Sequence, residues 1–105
     1  MLMELNENNF NVFTHNSSCV MFCADWCIPC KATLKVLDRI SEDNKDIDFG
    51  VIDIEKYPKM QEIYHIYSLP TLLFFDKNQP ITMLVGSVRE ESILDKLDEV
   101  RYECC

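Results

Sequence analysis

Apolar positions along the chain recur with two periods, and the alternation of those periods predicts its elements. Leu2 to Leu5 reads as a short first strand, and Asn6 or Asn8 as the N-cap of a brief helix carrying Phe10 and Phe13. The polar stretch Thr14 to Ser18 reads as a loop into Cys19-Val20-Met21-Phe22-Cys23-Ala24, a continuous apolar run suited to a strand covered on both faces. From about Cys27 to Asp43, the positions Leu34, Leu37 and Ile40, with Val36 beside them, recur at helical spacing, and Ser41 to Asp46 is polar enough to end that helix. Phe49 to Ile54 has the β-branched and apolar content of a second central strand. Pro58 then suits the first turn of a helix whose buried face is Met60, Ile63 and Tyr64. Thr71 to Phe75 is another apolar strand, and the turn chemistry of Asp76 to Pro80 reverses the chain into Ile81 to Val85 as a hairpin. From Glu90 onward, Ile93, Leu94, Leu97 and Val100 mark an amphipathic helix with acidic residues near its start.

This order gives about five strands and about four helices. Parallel strands need helical crossovers, whereas the last two strands pair through a tight turn, so the expected fold is α/β, a central mixed β-sheet with helices on both faces. Neither an internal repeat nor a low-complexity tract divides the chain, and 105 residues suffice to bury one core without staples, so residues 1–105 are expected to form a single domain.

Charge and composition narrow the function. A formal net charge of −8, with ten scattered Lys and Arg, argues against a nucleic-acid partner. The amino-terminal residues lack the basic flank and apolar core of a signal peptide, and no run is long enough to span a bilayer, so no membrane association and a cytoplasmic location are expected. Six cysteines in a short chain suggest a disulfide scaffold only where a core cannot form, and this chain can form one. Cys19 and Cys23 sit in the apolar run and read as core filling, while Cys104 and Cys105 read as an exposed incidental tail, with intermolecular oxidation as the next reading.

Cys27 and Cys30 stand apart by their spacing at the start of a helix. A thiolate is the nucleophile in disulfide exchange, and the free amides and positive dipole end of a helix lower its pKa from about 8.5 into a range of roughly 3.5 to 7.5. Cys27 gains most from this position. Cys30, one turn deeper and expected to be less exposed, is placed to resolve a mixed disulfide on Cys27. Zinc is the competing use of such spacing, but it usually takes two paired clusters, and neither Cys104-Cys105 nor His15 and His65 supply the second; no metal and no cofactor are expected.

In this context the residues Ala24-Asp25-Trp26-Cys27-Ile28-Pro29-Cys30-Lys31 resemble the thioredoxin family's Trp-Cys-Gly-Pro-Cys-Lys motif. Ser68-Leu69-Pro70-Thr71 resembles its cis-proline loop, and Val85-Gly86 its glycine after the last strand. The resemblance covers nearly the whole chain and implies a thioredoxin fold and a redox-active Cys27-Cys30 disulfide. By similarity, Trp26 shields that disulfide and contacts substrate, and Pro70, after a cis bond, faces the sulfurs without placing an amide there. Leu69 offers main-chain groups to an extended peptide, while Ile28, Pro29 and Gly86 complete a substrate-binding rim. His65 and Tyr67 are expected to be structural, with Tyr67 a candidate for that rim.

The chain departs from the family in three respects, at four positions. Met21 replaces a buried Asp and Val51 the Lys that neighbours it, an exchange of a whole buried pair that need not destabilise. In the family that Asp helps take the proton from the resolving cysteine, so Cys30 is expected to activate more slowly, through water or Asp25. Ile28 replaces a glycine and adds no charge to stabilise a thiolate, which favours a reductase over an oxidase. Lys35 replaces a helix-kinking proline, so a straighter helix is expected. The implied function is reduction of protein disulfides by a monomer, with an NADPH-dependent thioredoxin reductase as electron donor. The alternatives are a redox-regulatory protein-binding module, or a disulfide oxidase or isomerase.

Overall fold

The computed structural model describes residues 1–86 and 88–102. Its five strands are β1 (Met3–Glu4), β2 (Ser18–Cys23), β3 (Asp48–Asp53), β4 (Thr71–Asp76) and β5 (Gln79–Val85). Its four helices are α1 (Phe10–His15), α2 (Ile28–Asp43), α3 (Pro58–Ile63) and α4 (Glu90–Tyr102). The strands form one mixed sheet ordered β1-β3-β2-β4-β5, with β1, β3 and β2 parallel and β4 and β5 antiparallel, as the connection lengths require.

Strand side chains alternate between two faces, and each face has its own core. Cys19 and Met21 of β2 and Leu72 and Phe74 of β4 pack with Leu37 and Ile40 of α2 and Ile93, Leu97 and Val100 of α4. Their neighbours Val20, Phe22, Leu73 and Phe75 point the other way, to Phe10 and Phe13 of α1 and Met60 of α3. This second core contains an aromatic cluster. Phe10, Phe22, Tyr64 and Phe75 meet with ring centroids 5.4 to 6.2 Å apart, and burying each phenylalanine contributes about 1.5–3 kcal/mol.

Several expectations need correction. Neither Asn6 nor Asn8 caps α1. Asn9 holds the cap position, and the Asn6 side chain instead accepts from the amides of Asn8 and Asn9, forming a turn before the helix. The loop foreseen from Thr14 to Ser18 is shorter, because Thr14 and His15 belong to α1 and Ser18 to β2. Ile63 is 60% exposed, and Ile66, just past the helix, is buried in its place. Leu94 lies largely outside the α4 core. The hairpin turn is only Lys77-Asn78, both at positive φ (51° and 67°), so Gln79 and Pro80 are strand. That two-residue turn matches the strand twist, and β5 accommodates Pro80 as an edge strand, with a register irregularity opposite Phe74/Phe75.

Candidate functional site

The site forms where β2 ends and α2 begins. Ala24 to Trp26 make the turn, closed by the Cys27 N–H donating to the Ala24 carbonyl at 3.1 Å. Cys27 is the N-cap residue of α2, in extended backbone, with Pro29 in the first turn where an amide would have no helical partner anyway. The Cys30 N–H, three residues into the turn, donates to Cys27 Sγ at 3.2 Å. A sulfur thus takes the place that a Ser or Asp oxygen usually holds at a helix start.

Cys27 and Cys30 are joined as a disulfide, with Cα atoms 5.3 Å apart. Both are 3% exposed and belong to the core beside Met21, Leu37 and Leu72. The two are equally covered in this oxidised form, so the expectation that Cys30 is the less exposed does not hold. Trp26 and Ile28, flanking Cys27, are 63% and 77% exposed, and Pro29 is exposed with them. The bond between Leu69 and Pro70 is cis, Pro70 is buried, and half-buried Leu69 packs against both cores. Gly86 sits at φ 88° and donates its N–H to the Pro70 carbonyl at 2.8 Å. A Cβ there would meet no atom, so glycine is required by the backbone angle rather than by space. Among the described residues, the backbone of Leu69 makes no hydrogen bond.

Met21 is buried and pairs in register with Val51 across β2 and β3, so the two departures from the family pattern are adjacent in space. The disulfide therefore rests on an apolar floor. Cys23 lies on the same face of β2, but it is half-buried rather than core filling, because the strand outruns its cover there. Burial, and then the nearby Asp53 and Asp25 carboxylates, push its thiol up to about 11, and its Sγ meets the Ile52 carbonyl at 3.6 Å. Cys19 is fully buried, and burial raises its pKa as well. Among the described residues no cluster of His, Cys, Asp or Glu has the arrangement of a metal site, and no helix is long and apolar enough to cross a membrane. Cys104 and Cys105 lie outside the described residues.

Two features of the site's surroundings carry no sequence signal. His65 adopts left-handed backbone at φ 55° with no glycine or asparagine to announce it. The approach of Asp53 to Cys23 depends on the pairing of β2 with β3.

The chain matches the family model described as Thioredoxin over residues 1–99. It is 34% identical to a thioredoxin of Buchnera aphidicola subsp. Acyrthosiphon pisum, over 93% of this chain and 94% of that protein. It is 33% identical to a bifunctional thioredoxin reductase/thioredoxin of Mycobacterium leprae, over 77% of this chain and 18% of that longer protein. In fold it is similar to the crystal structure of a Malassezia sympodialis thioredoxin, with a TM-score of 0.86 at 22% identity over 94% of this chain and 90% of that one.

Proposed function

We propose, for a chain that belongs to the thioredoxin family and is a thiol-disulfide oxidoreductase reducing protein disulfides, that Cys27 is the nucleophile and Cys30 the resolving thiol. The observation that carries this assignment is the Cys30 amide aimed at Cys27 Sγ at 3.2 Å on the first turn of a 16-residue helix. In the reduced protein the same amide, with the helix dipole, favours the Cys27 thiolate.

The exchange then runs in two displacements. Cys27 thiolate attacks one sulfur of the target disulfide, forming a mixed disulfide and expelling the target's other sulfur as a thiolate. Cys30 gives up its proton and attacks Cys27 Sγ, which breaks the mixed disulfide, releases the second target sulfur and leaves Cys27-Cys30 oxidised. Two electrons pass to the target, whose sulfurs take up two protons. The apolar floor at Met21 and Val51 offers no carboxylate to receive the Cys30 proton, so solvent takes it and the second step is slow.

Leu69 presents its free main chain to an extended target segment beside the sulfurs. Trp26, Ile28, Pro29, Pro70 and Gly86 form the rim around it. Residues 1–105 act as one domain and as a monomer in the cytoplasm, and an NADPH-dependent thioredoxin reductase restores the dithiol. The relative in which a thioredoxin reductase and a thioredoxin share one chain supports that donor.

A turbidity assay of insulin reduction tests the roles. Cys27→Ser is expected to abolish turnover, and Cys30→Ser to accumulate a mixed disulfide with the target. Full turnover by Cys27→Ser refutes the assignment, and inactivity of the intact dithiol would favour a binding module. Faster reduction by glutathione than by thioredoxin reductase would refute the proposed donor.

A further inference from the structure

The loop between α3 and β4 holds two side chains that the exchange chemistry does not use. His65 sits at φ 55°, left-handed backbone that is costly for a residue other than glycine. The turn around it is anchored on both sides. The His65 N–H donates to the Glu62 carbonyl at 3.3 Å, and the N–H of buried Ile66 donates to the Gln61 carbonyl at 3.0 Å.

Tyr67, two residues on, is 86% exposed, more than any other large apolar side chain among the described residues. Its ring is nonetheless held. The hydroxyl meets His65 Nδ1 at 3.3 Å, and the two rings lie 6.3 Å apart, tilted by 34°. Glycine would suit the backbone at position 65 better than histidine, and the histidine side chain found there meets the Tyr67 hydroxyl. Its side chain holds a large aromatic ring that stands in water.

The ring also stands at the functional end of the sheet. Phe22 pairs with Thr71, so the segment after β2, with Trp26 and Cys27, and the segment before β4, with Tyr67 and Leu69, leave the sheet at the same end.

We propose that Tyr67 is a specificity-determining contact in disulfide exchange, taking an apolar or aromatic side chain that neighbours the target's cysteine, and that His65 is the positioning residue presenting its ring. The inference rests on the reading of Cys27-Cys30 as the exchanging pair. Because the hydroxyl is engaged by His65, the ring offers a partner its faces and edges, which suit apolar and aromatic groups. Holding the ring in place before the target arrives lowers the entropy cost of docking.

The test compares two disulfide-linked peptides that differ beside the cysteine, one carrying Leu or Phe and the other Ser. Tyr67→Ala is expected to reduce the preference for the Leu and Phe peptides, as a kcat/KM ratio, by about 3- to 10-fold, carried by KM rather than kcat. Tyr67→Phe keeps the ring and loses its bond to His65, so an intermediate loss is expected. His65→Gly suits the backbone angle, and it is expected to raise the unfolding temperature while still lowering the preference. A merely structural histidine would not give that opposite pair of effects. An unaltered preference in Tyr67→Ala overturns the proposal, and an unaltered preference in His65→Gly overturns the positioning role. Turnover of the Ser peptide by the unsubstituted protein reports the exchange itself, so its absence would refute the Cys27-Cys30 reading and this inference with it.

Discussion

Replacing Met21 with aspartate probes both the apolar floor under the disulfide and the slow second step proposed above. Met21 is 1% exposed, and its register partner on β3 is Val51, so a carboxylate introduced there has no cation on the paired strand. Desolvation raises the folded-state pKa of that carboxyl above the unfolded value of about 3.9. The folded form then holds its proton longer than the unfolded form does. The pH-dependent part of the cost is accordingly absent below about pH 4 and grows as pH rises, by about 1.4 kcal/mol per pH unit until the folded pKa is reached, on top of the lost apolar burial that costs stability at every pH. Between about pH 4 and pH 7 the loss accumulates to about 4 kcal/mol, a large share of the stability of a small domain.

Val51→Lys added to Met21→Asp supplies the missing cation and is expected to recover most of that loss at pH 7. Urea denaturation at pH 4 and pH 7 measures both variants. In turnover, the double variant is expected to speed resolution by Cys30 by about 10²-fold or more and to add an ionisation to the pH-rate profile. Equal costs of Met21→Asp at the two pH values would refute the desolvation argument. A pH-rate profile identical to that of the unsubstituted protein would refute the account of the slow step.

Three further outcomes follow from the packing and charge of the site's supports. A Cβ on Gly50 would lie 2.9 Å from Leu5 Cδ1 and 3.0 Å from the Phe13 ring, so Gly50→Ala is expected to cost about 1–3 kcal/mol by thermal unfolding. Asn78 combines φ 67° with hydrogen bonds from its side chain to the Asn11 carbonyl and Thr14 hydroxyl, so Asn78→Ala is expected to cost about 1–2 kcal/mol in urea, and Asn78→Gly less. The Cys23 thiol, raised to about 11, is expected to alkylate slowly at pH 8 and progressively faster as pH rises toward that value; Asp53→Asn is expected to quicken it at fixed pH.

How far the sequence could be read follows the strength of each local signal. The apolar run ending at Cys23, the helical spacing of Leu34, Leu37 and Ile40, and the cysteine pair between them are long or dense enough to fix β2, α2 and the site's position. Short elements are less legible. With only six residues in α3, two turns of apolar spacing do not determine which side faces inward, and Ile66 rather than Ile63 fills the core. Pro80 reads as a breaker and so widens the expected hairpin turn, although an edge strand tolerates a residue with no N–H to donate. Cys23 looked like core because burial at a strand end depends on what covers it, which is a tertiary property. The left-handed backbone of His65 carries no sequence signal, since a left-handed histidine looks in sequence like any other.

The two flanks of the sheet carry a consequence of their own. One flank ends in a strand of two residues, Met3–Glu4, and the other carries Pro80 and a register irregularity. Both are poor templates for adding another chain, the commonest way in which a β protein clumps. With both borders blunted, the main-chain docking of targets proposed for Leu69 is set apart from strand addition at the sheet's own edges.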